Sequence, residues 1–325
     1  MALQAHQLEV MQTVEKAMSE LTQKYIKSIE ETWQPSDFLP DAASENFTEE
    51  VHELQELAHQ LDYDLFATLI GDTITEEALP TYESWLMDME AVNQQEKCGF
   101  TEWIRAWTAE ENRHGDLLGR YLYLSGRVNM RELEISTQHL IKDGFDIGTD
   151  RDPYRNFVYT SFQELATNVS HRRVATLAKK SGNAPLAKIC GVVAADEARH
   201  ARAYIDFIRR IMELDPSGAV LAFEDMMRKK IVMPAHFLRE SGGRAGELFE
   251  HFSNSAQRIG VYTSSDYIDI LNSLLKEWKI EHLTELNDSA ERARDYLMKL
   301  PKRLERIATR LRIPEKQHEY KWIAT

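Results

Sequence analysis

The chain has 325 residues, 43% hydrophobic and 28% charged, enough to bury a large core as one domain or two. Its 39 basic and 53 acidic residues give a formal charge of −14, so the surface as a whole repels nucleic acid and anionic membranes. The only cysteines, Cys98 and Cys190, form no CxxC pair, and the longest apolar stretch, about 189–195, is too short to span a membrane. A disulfide framework, a membrane protein and a nucleic-acid binder are therefore not expected, and a reducing compartment is.

The spacing of apolar residues predicts helices almost throughout, with no run that alternates long enough to indicate a sheet. In chain order they cover about 49–70, 75–89, 101–125, 153–180, 184–212, 219–240, 264–286 and 289–312. Gly71-Asp72-Thr73 is expected to break the first from the second, and Gly182 to end the fourth. Residues 1–48, 241–260 and 313–325 are less regular. A single all-α domain is predicted, with its core bundle at about 49–212.

Two ExxH motifs carry the chemistry of the sequence. Glu111/His114 and Glu197/His200 each place a carboxylate and an imidazole three residues apart, on one face of a helix, where both can bind one metal ion. The spacing alone is weak, because it also occurs at Glu56/His59 and Glu315/His318. The last two pairs lack partner carboxylates and are predicted to be surface residues.

A repeated unit separates the favoured pairs from the others. Glu76 lies 35 residues before Glu111, and Glu164 lies 33 residues before Glu197, with Glu77 as an alternative to Glu76. A glutamate from each of two helices and an ExxH from each of two more is the ligand set of ferritin-like di-iron proteins. Four carboxylates would carry −4, which two divalent ions offset, whereas without metal their burial would be costly. The sequence therefore predicts a ferritin-like four-helix bundle core with flanking helices and a dinuclear site.

Longer strings around these ligands resemble the soluble acyl-ACP (acyl-carrier-protein) desaturases of the plant stearoyl type. The similarity runs from about Trp33 to Trp278, through the segments 71–82, 108–128, 159–164, 194–197, 226–231 and 233–236. The resemblance implies two iron ions held by Glu76, Glu111, His114, Glu164, Glu197 and His200, so it favours Glu76 over Glu77. It also implies a homodimer that takes electrons from reduced ferredoxin, activates O₂ and leaves a cis double bond in the acyl chain. The enzyme would be soluble, in the cytoplasm of a bacterium or, as a processed form, in the plastid stroma.

Three further residues are candidates for catalysis. Thr167 shares a face with Glu164; it either bonds back to the Gln163 carbonyl or, as the resemblance implies, acts near bound oxygen or in proton delivery. Asp196 is expected to orient the His114 imidazole, and Glu110 by symmetry that of His200. The resemblance implies that Trp33 begins a relay through Asp196 and His114 to iron, although ordinary loop packing is the alternative.

Carrier recognition and chain length are less constrained by the sequence. ACP is acidic, so Arg228, Lys229 and Lys230 are a candidate docking cluster, with the basic pair Lys179/Lys180 and the arginine-rich stretch 292–312 as weaker ones. The substrate pocket departs from the plant pattern at Trp85, Met87, Asp88 and Met89, and at Asn156 beside Phe157. Bulk such as Trp85 would shorten or redirect an apolar tunnel, so chain length and double-bond position stay open.

Two rival functions share parts of this pattern. A different ferritin-like di-iron oxidase or ferroxidase would have the same ligands without an acyl tunnel or a docking patch. A purely structural helical bundle would carry the repeat by accident and bind no metal.

Overall fold

The protein, analysed as a computed structural model, is described over residues 3–92 and 97–324. Within these ranges it contains helices and no strand, apart from one isolated bridge between Val128 and Ile323. The helices are α1 Ala5–Glu15, α2 Met18–Tyr25, α3 Phe47–His59, α4 Tyr63–Glu77, α5 Leu79–Met87, α6 Gly99–Leu124, α7 Met130–Asp143, α8 Pro153–Lys180, α9 Ala184–Leu214, α10 Pro216–Lys229, α11 Phe249–Arg258, α12 Ser264–Glu277 and α13 Asp288–Ala308.

The core is a bundle of four helices. α4 packs along α6, and α8 along α9, while α6 also contacts α9 and α4 contacts α8. The remaining helices pack around this bundle, with α10 and α12 against α8 and α11 against α4. The prediction of an all-α, ferritin-like four-helix core with flanking helices is confirmed.

Local sequence signals account for the start of the long helices. The Asp152 side chain accepts hydrogen bonds from the amides of Tyr154 and Arg155, and Pro153 follows at the first helical position. The Asn183 side chain caps α9 in the same way, by accepting from the Leu186 amide. α8 and α9 are therefore joined by a turn of three residues, which places them side by side and antiparallel.

The predicted break at Gly71-Asp72-Thr73 is wrong, because α4 runs through it to Glu77. A Cβ on Gly71 would lie 2.1 Å from the Phe252 ring, so this glycine makes room for α11 rather than ending a helix. The helix predicted to open at Thr75 instead begins at Leu79, followed by Pro80.

Other boundaries also differ from the predictions. Residues 1–48 contain α1 and α2, and residues 241–260 contain α11, so both segments are partly helical, while 26–46 and 241–248 are irregular apart from a short 3-10 turn at Pro35–Asp37. α7 was not anticipated at all. The helix predicted for 219–240 ends at Lys229, because Lys230 takes a positive φ of 65°. The single-domain organisation stays a prediction. No helix among the described residues is long and apolar enough to cross a membrane.

Candidate metal centre

Six acidic and imidazole side chains converge at the centre of the bundle. Their potential ligand atoms form two groups, in each of which all atoms lie within 4.8 Å of one another. One group is Glu76, Glu111, His114 and Glu197; the other is Glu111, Glu164, Glu197 and His200. Glu111 and Glu197 belong to both groups, as carboxylates that bridge two positions would. The structure thus brings together all six residues predicted as ligands, and all six are buried.

The imidazoles present Nδ1 to this cluster. Nδ1 of His114 lies 3.1 Å from Glu197 Oε1 and 3.2 Å from Glu111 Oε2, and Nδ1 of His200 lies 2.6 Å from Glu111 Oε1. Neither Nδ1 forms a hydrogen bond of acceptable geometry with any described residue, and the same is true of Glu111 Oε1 and Glu164 Oε2. Buried polar atoms that converge without pairing are what a site for cations requires.

The donor set fits two metal ions. Four carboxylates and two imidazoles supply only oxygen and nitrogen, which suits iron or manganese better than a thiolate site would. Their formal charge of −4 is matched by two divalent ions, so the buried cluster becomes nearly neutral when it is loaded. The residues are thus those of a dinuclear carboxylate site.

Without cations, the charges are balanced by protons. Burial, together with the carboxylates of Glu197 and Glu111, raises the pKa of Glu164 well above its ordinary value. Burial alone would lower the pKa of His200, but the Glu111 carboxylate and the hydrogen bond that Nε2–H of His200 donates to Glu110 raise it well above 6.5. The metal-free cluster therefore holds protons that bound cations would displace.

The outer nitrogen of each imidazole faces a carboxylate from the other ExxH helix. Nε2 of His114 faces Asp196 Oδ2 at 3.6 Å, and Nε2 of His200 lies 2.7 Å from Glu110 Oε2. Arg199 joins the two carboxylates, because its guanidinium donates to Glu110 at 2.8 Å and to Asp196 at 2.5 Å. Only His200 is hydrogen-bonded to the acid from the other ExxH helix, because Nε2 of His114 has no hydrogen-bond partner among the described residues, so the orienting role expected of Asp196 stays a prediction.

Trp33 completes a chain of contacts on one side only. Its indole N–H donates to Asp196 Oδ2 at 3.0 Å, and its ring lies parallel to the His114 ring with centroids 6.0 Å apart. The Arg113 guanidinium lies over the same indole and donates to Asp196 and to the Trp33 carbonyl. The partly exposed indole of Trp33 therefore contacts Asp196, which in turn faces His114 of the cluster.

Thr167 forms the back-bond weighed for it from the sequence and also contacts the cluster. Its hydroxyl lies 3.2 Å from the Gln163 carbonyl and 3.1 Å from the Glu164 carbonyl, as a helical threonine often does. The same hydroxyl is 2.5 Å from Glu197 Oε2. Since a hydroxyl has only one proton to donate, Thr167 can hold Glu197 or bond to its own helix, but not do both at once.

A cavity of about 540 Å³ reaches the cluster from the surface. Its inner end is lined by four of the six cluster residues and by Trp107, Thr167 and His171, whereas His114, His200, Asp196 and Glu110 do not line it. Its walls are largely apolar, and include Leu79, Tyr82, Phe162, Ile231, Met233, Phe249, Phe252, Ile268 and Leu304. An extended apolar ligand would therefore meet the carboxylate side of the cluster, while the outer nitrogens of the histidines stay closed off.

The comparisons with known proteins agree with this site. The profile of the fatty acid desaturase family matches residues 6–324. The chain is 50% identical over 306 residues to the chloroplastic stearoyl-[acyl-carrier-protein] 9-desaturase of Ricinus communis, covering 93% of this chain and 77% of that protein. It is 49% identical over 313 residues to the enzyme of the same name from Spinacia oleracea, covering 95% and 78%.

The chain belongs to the fatty acid desaturase family. Among solved structures, DesA2 from Mycobacterium tuberculosis, a candidate acyl-ACP desaturase, matches with a TM-score of 0.52 at 16% identity, over 89% of this chain and 99% of that one. This match supports the fold. The resemblance to acyl-ACP desaturases stated from the sequence strings is thereby confirmed.

Two polar partners of the cluster in this desaturase were missed from the sequence. The Trp107 indole N–H donates to Glu164 Oε1 at 3.2 Å, and Nε2 of buried His171 lies 2.9 Å from Glu76 Oε1. Both lie at helical spacing from a predicted ligand: Trp107 is four residues before Glu111, and His171 is seven after Glu164. That spacing was the available signal, although many side chains share it.

The remaining candidates fall outside the cluster. Glu77 turns away from it and accepts a hydrogen bond from Thr137 on α7. Glu56 and His59 are exposed, as predicted, and so is Glu315, but His318 is partly buried and stacks on His251. Trp85 packs edge-on against Tyr82 and against Tyr159, one layer outside the cavity wall formed by Tyr82.

Proposed function

We propose that this chain is an O₂-dependent acyl-ACP desaturase that introduces a cis double bond into a saturated acyl chain. The observation that carries this proposal is the apolar cavity that ends on the carboxylate side of the dinuclear cluster. The identity of about 50% with two stearoyl-[acyl-carrier-protein] 9-desaturases over more than nine tenths of the chain supports the same substrate class. The reaction consumes one O₂, two electrons and two protons for each –CH₂–CH₂– unit, and yields –CH=CH– and two water molecules.

We propose iron as the metal, with Glu76, Glu111, His114, Glu164, Glu197 and His200 as its ligands. An unactivated C–H bond offers no acidic proton, so side-chain acid–base chemistry alone cannot remove it. Two iron ions bound at this site would supply the O₂ activation and the oxidising power that the side chains lack.

The protein itself positions the acyl chain and excludes water from the site. Tyr82, Leu79 and Phe162 line the cavity around the cluster, and would hold a saturated chain with few carbons within reach of the metals. The same apolar side chains exclude water, which would otherwise react with the oxidant.

Thr167 is proposed to pass a proton to the cavity side of the cluster. Its hydroxyl contacts Glu197 and also lines the cavity, so rotation about the Cβ–Oγ bond can turn its proton from the carboxylate toward the space where oxygen would bind, and one of the two protons that the reaction takes up would replace the proton passed on. Asp196 would keep the His114 ring fixed through Nε2.

Reduced ferredoxin is proposed as the electron donor, acting through Trp33. The indole is only partly buried and contacts both Asp196 and the His114 ring, so it connects the surface to the cluster as the predicted relay requires. The resemblance further implies a homodimer, which sedimentation velocity would test. The two relatives are named as chloroplastic enzymes, while the compartment of this chain stays a prediction.

The decisive experiment is desaturation of acyl-ACP substrates of several chain lengths by the iron-loaded protein, with reduced ferredoxin and O₂, followed by fatty-acid analysis. We expect a single cis isomer and one favoured chain length. If iron were oxidised and mineralised while every chain was recovered saturated, the ferroxidase alternative would hold instead. A protein that takes up no metal would support the purely structural alternative.

A further inference from the structure

The mouth of the cavity lies beside the end of α13. The first half of this helix is buried against the protein through Ala290, Ala293, Leu297, Leu300 and Pro301. Beyond Pro301 the same apolar stripe continues at helical spacing through Leu304, Ile307, Ala308 and Leu311, and all four of these residues line the cavity. The stripe therefore runs without interruption from the core to the mouth.

Burial stops where the stripe reaches the cavity mouth. Ile307 is 59% exposed and Leu311 50% exposed, and Ile313 beyond them is 39% exposed. Single exposed apolar residues are common, but Ile307 and Leu311 at the mouth of an apolar cavity, with Ile313 just beyond it, form a surface that a ligand or partner would cover.

Basic side chains flank this apolar stripe. Arg303, Arg306 and Arg310 are exposed, and over the described ranges none of them has a carboxylate within ion-pairing distance. By contrast, Arg228 pairs with Glu224, and Lys229 pairs with Asp225 and Asp150. In the cluster predicted for docking, most of the charge is therefore already neutralised within the chain.

Tyr296 links the two basic regions into one face. The Arg228 guanidinium lies 3.8 Å from the centroid of the Tyr296 ring, and that of Arg303 lies 5.7 Å from it. Lys230 is exposed next to Ile231, which also lines the cavity. In a chain with a net charge of −14, a continuous basic face around one opening is the exception rather than the rule.

We infer that the end of α13 and the turn that follows it form the docking surface for the acidic carrier protein whose acyl chain enters the cavity. This surface comprises Arg303, Arg306, Ile307, Arg310 and Leu311. This surface, here called the α13 docking surface, rests on the proposed function. Unpaired arginines attract an acidic partner. The apolar stripe would contact the acyl carbons next to the thioester that joins them to the carrier. A second copy of this acidic chain complements the charge less well.

The test is the charge-reversal variant R306E/R310E, assayed for desaturation with acyl-ACP and saturating reduced ferredoxin. Both residues are exposed and unpaired, so folding and metal content should match the wild type. We expect KM for acyl-ACP to rise on the order of tenfold or more, with kcat within twofold, and the wild-type KM to rise with salt concentration. The matched control K179E/K180E, which reverses two exposed basic residues at the end of α8, should leave KM within twofold.

A second variant tests the apolar stripe separately. Ile307→Ser should raise KM for acyl-ACP by a few fold and leave KM for ferredoxin unchanged, whereas Leu214→Ser, at an exposed apolar residue at the end of α9, should change neither. An unchanged KM for acyl-ACP in R306E/R310E would overturn the inference. So would a raised KM for ferredoxin alone. A lower sedimentation coefficient for R306E/R310E than for the wild type would also overturn it, because it would show that a second copy of the chain occupies the surface. If the wild type does not desaturate acyl-ACP at all, the proposed function fails, which is a different result.

Discussion

The helix pair α4/α6 and the helix pair α8/α9 supply matching ligands but surround them differently. Glu76, Glu111 and His114 of the first pair correspond in spacing to Glu164, Glu197 and His200 of the second. The partners of these ligands do not correspond. Glu76 contacts a histidine, His171, whereas Glu164 accepts from an indole, Trp107.

The differences share a location. Thr167 and His171 follow Glu164, and the equivalent positions after Glu76 are Leu79 and Glu83; Trp107 precedes Glu111, and the equivalent position before Glu197 is Val193. Thr167, His171 and Trp107 all line the inner end of the cavity. The repeat thus supplies a nearly symmetric metal site, and these three departures from symmetry lie on the side that faces the ligand.

The largest expected effect comes from a residue in which the two pairs agree. Glu197 belongs to both ligand groups, so Glu197→Ala removes a donor from both metal positions at once. Iron content should fall from two per chain to one or none, and desaturation by roughly a thousandfold or more. Iron analysis and product analysis on the same sample would check this, with circular dichroism to show that the helices are retained. Full activity in this variant would refute the ligand assignment.

The next effect tests the feature that only one side has. Trp33→Phe removes the donor to Asp196, and the multiple-turnover rate with reduced ferredoxin should fall roughly 10- to 100-fold. Product formed in a single turnover by protein that is chemically reduced beforehand should be unchanged, because that route bypasses the indole.

Tyr25→Phe is the control for Trp33→Phe. Tyr25 lies near the other side, where its carbonyl accepts from Arg199. This variant should keep both rates within twofold. Equal losses in the single-turnover and multiple-turnover rates of Trp33→Phe would show that the indole is structural and not part of a relay.

His171 sharpens the contrast between the two outer glutamates. His171→Ala leaves Glu76 without its partner, and we expect a roughly tenfold loss of iron affinity together with more electrons consumed per double bond. His171→Gln keeps a side-chain donor and should recover most of both. Trp107→Phe removes the hydrogen-bond donor to Glu164 instead. Comparing the two variants tests whether the metal positions beside Glu76 and Glu164 are equivalent. Identical changes in the iron spectra of the two variants would show that they are.

The smallest effect concerns Glu77, whose counterpart in the second pair is Leu165. Burial raises the pKa of Glu77 to about 7, with Glu134 and Asp116 adding to the shift. Because the folded-state pKa lies above the unfolded value, this group lowers stability as the pH rises from about 4.5 to about 7.

Glu77→Gln removes that loss. Its free energy of unfolding should gain on the wild type by about 1–2 kcal/mol between pH 5 and pH 8. Urea unfolding at the two pH values measures the gain. An identical pH dependence in both proteins would mean that Glu77 is ionised without penalty.

The sequence predicted which side chains converge far better than the helix boundaries, and the reason is physical. The spacing of metal-binding residues is set by the chemistry of the site, so the two Glu-then-ExxH units stand out as a repeat without knowledge of the packing, and the resemblance was needed only to favour Glu76 over Glu77. The role of Gly71 depends on Phe252, nearly two hundred residues away, and no local pattern reports that contact. The amphipathic helices α1 and α2 were missed for a related reason, since their buried face is defined only by α9 and α6, against which they pack.

The partners of the ligands fall between these extremes. Asp196 and Glu110 were found because they repeat beside each ExxH motif. His171 was missed because it has no repeated counterpart, although it occupies the same face of α8 as Glu164. A search for repeats cannot find such asymmetric residues, and His171 is one of three that line the cavity.

The position of the cavity has a consequence for the order of events. It opens onto the carboxylate side, while Trp33 reaches the cluster from behind His114. The acyl chain and the electron donor would therefore approach the cluster from different sides and would not compete for one opening. Under the proposed function, a bound acyl chain could stay in the cavity while electrons reach the cluster from the opposite side, so the cavity would be filled whenever O₂ is activated.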